Sequence, residues 1–284
     1  MKLITGIPEM QREADALRRE GRRIGVVPTM GYLHEGHLSL IRIAARHADV
    51  VIATVFVNPT QFAPEEDFSK YPRDPERDLS LAESAGAAIV FMPEIGEMYP
   101  AGYVTYVEVE TITKVLEGKF RPAHFRGVAT VVAKLFNIIK PHIAVFGQKD
   151  AQQAAVVKQM VRDLNFGLEI IVAPTVRETD GLAMSSRNVY LSADGRARST
   201  VLHRSLRLAE GLIVHGERAC PVIVSEMRKL IESCPPAAID YISIADPVTL
   251  EELSSLKAGK DVLVSMAVRI GGVRLIDNAV VRVP

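Results

Sequence analysis

The organisation of this chain is clearest in residues 24–37, which read Ile24-Gly25-Val26-Val27-Pro28-Thr29-Met30-Gly31-Tyr32-Leu33-His34-Glu35-Gly36-His37. The apolar, β-branched run at 24–27 predicts a buried strand. Apolar residues at three- and four-residue spacing over 38–47 predict a helix directly after the last histidine. The HxGH motif that ends the stretch therefore lies at a strand-to-helix turn.

The same alternation continues to about residue 175. Further buried strands are predicted at 50–57, 88–92, 143–146 and 170–172, and further helices at 75–85, 128–139 and 151–164. Strands joined by crossover helices are typical of a doubly wound, parallel, Rossmann-like α/β sheet. Such sheets bind ligands at the carboxyl ends of their strands. All but one of the motifs discussed below lie at such ends, and the remaining one lies in the loop that follows the sheet.

The pattern changes after about residue 175. A polar loop leads to helices near 193–215 and 222–232, and then to alternating segments at 238–244 and 261–276. Gly271-Gly272 inside the last segment indicates a hairpin turn. The sequence therefore predicts two domains, a Rossmann-like domain over residues 1–175 and a smaller C-terminal α+β domain with an antiparallel sheet over residues 176–284.

Composition and charge argue against several classes of function. Of the 284 residues 48% are hydrophobic, and Lys+Arg and Asp+Glu both number 34, so we expect neither nucleic acid nor a membrane as a partner. Cys220 and Cys234 lack the spacing of a zinc site, and we predict no metal held by protein side chains. No stretch resembles a signal peptide or a membrane span, so the expected compartment is the cytoplasm.

The HxGH turn suits a bound triphosphate. A helix N-terminus offers free backbone N–H groups and a partial positive charge. Gly36 would let a phosphate approach the backbone closely, and the imidazoles of His34 and His37 would donate hydrogen bonds to phosphate oxygens. The turn is therefore a candidate phosphate cradle.

This motif resembles the HxGH signature of the nucleotidylyltransferase superfamily, which includes class I aminoacyl-tRNA synthetases, cytidylyltransferases and pantothenate synthetases. The resemblance implies attack on the α-phosphorus of a nucleotide and release of pyrophosphate or its equivalent. Because negative charge grows on the phosphate oxygens in that step, positioned donors stabilise the transition state more than the ground state.

Three further segments distinguish among these relatives. They read Asn58-Pro59-Thr60-Gln61-Phe62, Gly147-Gln148-Lys149-Asp150-Ala151-Gln152-Gln153 and Met184-Ser185-Ser186-Arg187-Asn188. In this order they are similar to the NPTQF, GEKDxQQ and MSSRN blocks of the pantothenate synthetase family, and together with PTMGxLHxGH they cover residues 24–190. The chain departs from the commonest pattern at Tyr32, Gln148 and Ala151, none of which removes a donor assigned to catalysis.

The resemblance implies an AMP-forming ligase that works as a homodimer. ATP and (R)-pantoate would first give pantoyl adenylate and pyrophosphate, and the amine of β-alanine would then displace AMP to give pantothenate. Residues 1–175 would bind ATP and pantoate, with residues 176–284 as a lid. Mg²⁺ would arrive with the triphosphate.

The resemblance also implies a set of site residues. His34, His37 and Lys149 would be catalytic, with His37 as a proton donor. Gln61 and Gln153 would bind pantoate, and Met30 would line the same pocket. ATP would contact the following residues: Met30, Gly31, His34, Gly36, His37, Gly147, Gln148, Lys149, Asp150, Val176 (through its backbone), Met184, Ser185, Ser186 and Arg187.

The residues alone leave simpler interpretations open. Lys149 is compatible with a solvated lysine at a helix start, and Asp150 with an N-cap as well as with a ribose contact. The loop 185–187 is compatible with a solvated turn. The acidic run at 74–78 is expected at a helix N-terminus rather than around Mg²⁺.

Three other functions share parts of this pattern. A nucleotidylyltransferase with a phosphorylated acceptor would need additional basic residues where this chain has Gln61 and Gln153. A class I tRNA synthetase would carry a basic anticodon-binding extension. A non-catalytic nucleotide sensor would keep the cradle but lack the transition-state groups, all of which are present here.

Overall fold

The computed structural model describes residues 1–62 and 68–284, and in these the chain forms a six-stranded sheet and a three-stranded sheet. Every pairing in the larger sheet is parallel, and every pairing in the smaller one is antiparallel. The predicted fold class is therefore confirmed: a doubly wound parallel sheet with a smaller C-terminal α+β part.

The parallel sheet has a switch point in its strand order. Its strands are β1 (Lys2–Ile4), β2 (Ile24–Thr29), β3 (Val50–Val55), β4 (Ile89–Phe91), β5 (Ile143–Gly147) and β6 (Glu169–Ala173). They lie in the order β1-β4-β3-β2-β5-β6, so the direction of winding reverses between β2 and β5. The HxGH turn after β2 and the Lys149 turn after β5 are therefore neighbours, as ligand sites of such sheets require.

Helices cover both faces of this sheet. They are α1 (Ile7–Arg19), α2 (Glu35–His47), α3 (Pro75–Ser84), α4 (Ile95–Met98), α5 (Glu117–Phe120), α6 (His124–Ile139) and α7 (Ala151–Asp163). Successive residues of a strand point to opposite faces. Val26 accordingly lies in the core cluster that contains Phe136 of α6, whereas Val27 lies in the cluster that contains Ile41 of α2. Burial on both faces explains the continuous apolar run at 24–27.

The C-terminal part packs three helices on one face of an antiparallel sheet. Its elements are α8 (Ala193–Ser199), α9 (Val201–Val214), α10 (Cys220–Glu232), β7 (Ala237–Ala245), β8 (Asp261–Ile270) and β9 (Val273–Arg282). The predicted hairpin turn is present, because Gly271 and Gly272 have φ angles of 56° and 82° and join β8 to β9. Positive φ at both positions suits a type of turn that favours glycine.

The short helices α4 and α5 were not predicted, and two further differences from the sequence-based expectations have a physical cause. β1 was not predicted, because its three residues are too few for a periodic pattern and their strand conformation depends on pairing with β4. The helical stretch predicted at 193–215 is divided at Thr200. The hydroxyls of Ser199 and Thr200 donate to the backbone oxygens of Gly195 and Ala197, and such back-bonding disturbs a helix. No helix in the described part of the chain has the length and apolar character needed to cross a bilayer.

Candidate active site

The two histidines of the motif lie against each other at the start of α2. Their ring centroids are 4.0 Å apart. The backbone N–H of His34 donates to Nδ1 of His37 at 3.3 Å. An accepting Nδ1 places the proton of a neutral His37 ring on Nε2, which is then a hydrogen-bond donor.

Burial keeps both imidazoles neutral. Desolvation, followed by the neighbouring charge of Lys149, lowers the pKa of His34 from 6.5 to about 4. Desolvation, followed by the charge of His34, lowers the pKa of His37 from 6.5 to about 3. Nδ1 of His34 is buried and lacks a hydrogen-bond partner among the described residues. The pair is thus equipped to donate to an anion without carrying charge of its own.

Two glycines in the motif have specific steric roles. A Cβ at Gly36 would lie 2.8 Å from Cε1 of His34, so a side chain here would displace the imidazole. Gly31 has a φ of +80°, and a Cβ there would lie 2.8 Å from Oδ2 of Asp78. Both positions therefore require glycine for the turn to keep its present shape.

Asp78 holds this turn and was missed as a site residue. Its carboxylate accepts the backbone N–H groups of Tyr32 at 2.8 Å and Leu33 at 2.7 Å, and the residue is 2% exposed. Desolvation raises the pKa of Asp78 despite these two bonds. Asp74 behaves as expected for a helix N-terminus, because it caps α3 by accepting the N–H of Arg77 at 3.2 Å. The sequence of the run 74–78 does not show which of these two carboxylates contacts the turn. The reason is that Tyr32 and Leu33 lie 46 and 45 residues before Asp78.

The second segment at the switch point is a 3₁₀ turn, Gln148–Asp150, between β5 and α7. Nζ of Lys149 lies 3.5 Å from Oδ1 of Asp150. Desolvation alone would raise the pKa of Asp150, but the charges of Lys149 and Arg187 outweigh it and lower that pKa. Asp150 occupies the N-cap position of α7, yet its side chain makes no capping bond there. Its ionised carboxylate therefore remains directed to Lys149.

The third segment comes from the loop that joins the two sheets. Val176 and Met184 are paired in a short hairpin, with the N–H of Met184 donating to the carbonyl of Val176 at 3.0 Å. A 3₁₀ turn, Ser186–Tyr190, follows, and Oγ of Ser185 accepts the N–H of Arg187 at 3.2 Å. The predicted nucleotide contacts of this loop thus lie close together.

These segments surround one cavity of about 200 Å³. Of the predicted site residues, its walls include Met30, His34, Gly36, His37, Gln61, Gly147, Lys149, Asp150, Gln153, Val176, Met184, Ser185, Ser186 and Arg187. A neighbouring cavity of about 610 Å³ shares several of these walls and extends between the two sheets. Gly31 and Gln148 line neither cavity in the described part of the chain; Nε2 of Gln148 instead donates to Oδ1 of Asn278 at 3.0 Å.

Gln61 is oriented by a neighbour to which the sequence had assigned no role. Nδ2 of Asn58 donates to Oε1 of Gln61 at 3.1 Å, and the Tyr99 hydroxyl donates to Oδ1 of Asn58 at 2.8 Å. Nε2 of Gln61 lies 3.0 Å from Sδ of Met30. Asn58 therefore decides which end of the Gln61 amide accepts and which donates.

Arg121 and His124 line both cavities and were also missed. Nδ1 of His124 lies 2.9 Å from the carbonyl oxygen of Gln61, and Nη1 of Arg121 lies 3.1 Å from Nε2 of His124. They stand near the start of α6, where no strand-end signal or phosphate-loop pattern marks them in the sequence. Only their position beside Gln61 reveals them.

The fold and this arrangement define a class of protein, a nucleotide-binding α/β enzyme. Neutral hydrogen-bond donors, a lysine and uncharged amides line its cavity together. Comparisons with known proteins narrow the class. The pantoate-beta-alanine ligase family matches residues 2–280. The chain therefore belongs to the pantoate-beta-alanine ligase family, and it is a ligase, as the sequence predicts.

Individual relatives agree with this assignment over their full length. Pantothenate synthetase of Moorella thermoacetica is 56% identical over 100% of this chain and 99% of the relative. The crystal structure of pantothenate synthetase from Thermus thermophilus is 46% identical, covers 99% of this chain and 100% of its own, and superposes with a TM-score of 0.92. Pantoate-beta-alanine ligase from Francisella tularensis, complexed with beta-gamma ATP and beta-alanine, is 34% identical with a TM-score of 0.81, covering 99% and 97% of the chains. This chain is accordingly an ATP-dependent enzyme that joins pantoate to β-alanine.

Proposed function

We propose that the condensation proceeds through pantoyl adenylate in the cavity described above. A carboxylate oxygen of pantoate attacks the α-phosphorus of ATP, and the bond to the β-phosphate oxygen breaks, so that pyrophosphate leaves with that electron pair. The amine nitrogen of β-alanine then attacks the acyl carbon. AMP departs with the electrons of the C–O bond, and the amine loses a proton as the amide of pantothenate forms.

The observation that supports this route is that two kinds of group line the 200 Å³ cavity together. Neutral histidines, Lys149 and Arg187 offer donors for a polyphosphate, whereas Gln61 and Gln153 offer amides that suit a carboxylate and hydroxyls. A phosphorylated acceptor would instead favour cations in place of the two glutamines. The basic residues beside Gln61, Arg121 and His124, both contact its backbone carbonyl. An unphosphorylated hydroxy acid beside a triphosphate fits the cavity best.

In this proposal the protein acts by alignment and charge stabilisation. His34 and His37 donate to the departing phosphates, and the Lys149 ammonium reaches the same oxygens. The negative charge of a bound triphosphate raises the pKa of His37, which is the direction that a proton-donor role requires. Asp150 contacts the ribose hydroxyls, and the backbone of Val176 contacts adenine.

Several finer expectations belong to the same proposal. We place the domain boundary at residues 175 and 176 and treat the C-terminal domain as a lid. Mg²⁺ is bound by the triphosphate and arrives with it. The enzyme is a homodimer and works in the cytoplasm, where ATP is available.

Exchange of labelled pyrophosphate into ATP tests the route. We expect the protein with ATP and Mg²⁺ to catalyse this exchange when pantoate is added and β-alanine is absent, because adenylation precedes amide formation. A reaction without pantoate is the control. If exchange strictly requires β-alanine, the ordered adenylate route is wrong.

A further inference from the structure

Asn278 of β9 binds the turn that carries Lys149, although 129 and 130 residues separate them in sequence. Its Nδ2 donates to the carbonyl of Gln148 at 3.0 Å and to the carbonyl of Lys149 at 2.8 Å. Its Oδ1 accepts Nε2 of Gln148 at 3.0 Å. The residue is 5% exposed. One buried amide thus uses both N–H groups and its oxygen on this single turn.

The preceding residue, Asp277, binds the other nucleotide-contacting segment. Its carboxylate forms a two-bond ion pair with Arg177 at 2.7 and 2.9 Å, and the residue is 2% exposed. Nη1 of Arg177 also donates to the carbonyl of Gly181 at 3.0 Å, inside the hairpin that joins Val176 to Met184. Planar two-bond pairing of this kind fixes orientation as well as distance.

That hairpin is joined in turn to the loop 185–188. Nδ2 of Asn188 donates to Oε1 of Glu178 at 3.0 Å and to the carbonyl of Ala183 at 3.2 Å. The backbone N–H of Asn278 donates to Oδ1 of Asp277 at 2.8 Å. Hydrogen bonds therefore join the Lys149 turn, through two adjacent residues of β9, to the hairpin 176–184, and Asn188 joins that hairpin to the loop that contains Arg187.

We propose that the dipeptide Asp277-Asn278 is a positioning element, which holds the Lys149 turn and the Arg187 loop in register on opposite sides of the bound triphosphate. This inference rests on the proposed function. Asn278 acts through Lys149, and Asp277 acts through Arg187. Neither side chain has to touch the substrate, because each fixes the backbone from which a cationic side chain extends.

The chemistry of the two side chains explains why they are not interchangeable. An aspartate at position 278 would put an acceptor oxygen in place of Nδ2, facing the two backbone carbonyls of Gln148 and Lys149, so both donated bonds would be replaced by repulsion. An asparagine at position 277 would lose the charge that pairs with Arg177 and leave a partly buried guanidinium without it. Each substitution keeps the volume of the side chain while reversing its role.

Double-mutant cycles test the proposal. We expect Asn278→Ala and Asn278→Asp to lower the kcat of pantoate-dependent exchange by about tenfold, and Asn278→Ala to cost less than about twofold when Lys149→Ala is already present. Asp277→Asn should likewise lower this kcat by about tenfold alone, but by less than about twofold when Arg187→Ala is already present. The crossed pairs, Asn278 with Arg187 and Asp277 with Lys149, should be nearly additive.

A matched control lies on the same sheet. Ser243 of β7 is 2% exposed, and its hydroxyl has no hydrogen-bond partner among the described residues, so Ser243→Ala should leave kcat within about twofold. Thermal unfolding of each variant separates folding from positioning. The proposal is overturned if Asn278→Ala costs the same factor with and without Lys149, or if it lowers only the melting temperature.

Failure of the proposed function would look different. If the wild-type protein shows no pantoate-dependent exchange, the adenylate route fails. The ATP affinity of the same single and double mutants is then measured by calorimetry. Coupling between Asn278 and Lys149 in ATP affinity would still support the positioning element. Additive losses in ATP affinity would refute it independently of the reaction.

Discussion

His37 accepts the backbone N–H of His34 through Nδ1, and the two rings lie 4.0 Å apart at the N-terminus of one helix. The contact sets the tautomer of a neutral His37. It also places a second buried imidazole where protonation of both rings would bring two positive charges together. The pair is therefore sensitive to acid in a way that follows directly from its geometry.

The free energy of unfolding should fall as the pH drops from 6.5. In the folded state the pKa values of His34 and His37 are lowered to about 4 and about 3, so the unfolded chain binds protons first. Their contribution is fully present above pH 6.5 and is lost progressively toward pH 3, at a rate of at most about 1.4 kcal/mol per pH unit for each histidine. Urea denaturation at several pH values measures it.

A substitution isolates this effect. His37→Asn removes one titrating group, so the slope of unfolding free energy against pH between 6.5 and 4 should be smaller than in the wild type. Equal slopes in the two proteins would show that His37 does not titrate in this window.

His37→Ala and Lys149→Ala should each lower turnover by about 10²-fold or more, because each removes a donor that stabilises charge in a cavity with little water. Turnover is followed as AMP and pantothenate formation by mass spectrometry. Two exposed residues provide matched controls. They are His47→Ala on α2 and Lys158→Ala on α7, the helix that follows the Lys149 turn, and both variants should retain normal rates. Near-normal turnover of a folded His37 or Lys149 variant would show that the residue does not stabilise charge in the reaction.

Two carboxylates of α3 should differ in their effects. Asp78→Ala removes both bonds to the HxGH turn, so we expect turnover to fall by about tenfold or more as the histidines lose their position. Asp74→Ala removes only the helix cap, which should cost about 1 kcal/mol of stability with turnover within about twofold. Equal losses of turnover in the two variants would contradict a special role for Asp78.

Gln61→Ala and Gln153→Ala should separate substrate recognition from nucleotide binding. A polar group left unpaired on bound pantoate costs about 1 to 3 kcal/mol, so the KM for pantoate should rise, or the exchange rate fall, by roughly tenfold. ATP affinity measured by calorimetry should stay within about threefold. A collapse of ATP binding would instead place both glutamines in the nucleotide site.

The ion pair that joins β9 to helix α5 should matter for stability. Arg274 of β9 donates to both oxygens of Glu117 at 2.5 and 2.9 Å and to Asp240 at 2.6 Å, and Glu117 is 7% exposed. Arg274→Met leaves Glu117 without its cationic partner and Asp240 with only Arg269 of the described residues, at 3.4 Å, and should lower the free energy of unfolding by about 3 kcal/mol. Adding Glu117→Gln should restore part of the loss, as urea denaturation can measure. A change of less than about 1 kcal/mol in Arg274→Met would show that solvent already screens the pair.

Much of the fold could be anticipated because its signals are short-range. The run at 24–27 is apolar since both faces of β2 are buried, and Gly271-Gly272 makes a hairpin turn because both residues adopt positive φ. β1 escaped prediction because three residues have no recognisable period and depend on β4 for their pairing. The hydrophobic spacing predicts one helical stretch across Thr200, whereas the structure divides the helix there.

The candidate site divides in the same way. The HxGH turn, the Lys149 turn and the loop 185–187 are each contiguous segments that the sequence reveals, and the neighbouring positions of β2 and β5 bring the first two together. Asp78 contacts its turn across 46 residues, and Asn278 reaches Gln148 across 130. A short motif constrains its own backbone and nearest neighbours, whereas partners this distant are chosen only when the sheets and helices pack. That is why the amino-acid order predicts which short segments line the cavity, while the packed chain alone shows which distant residues contact those segments.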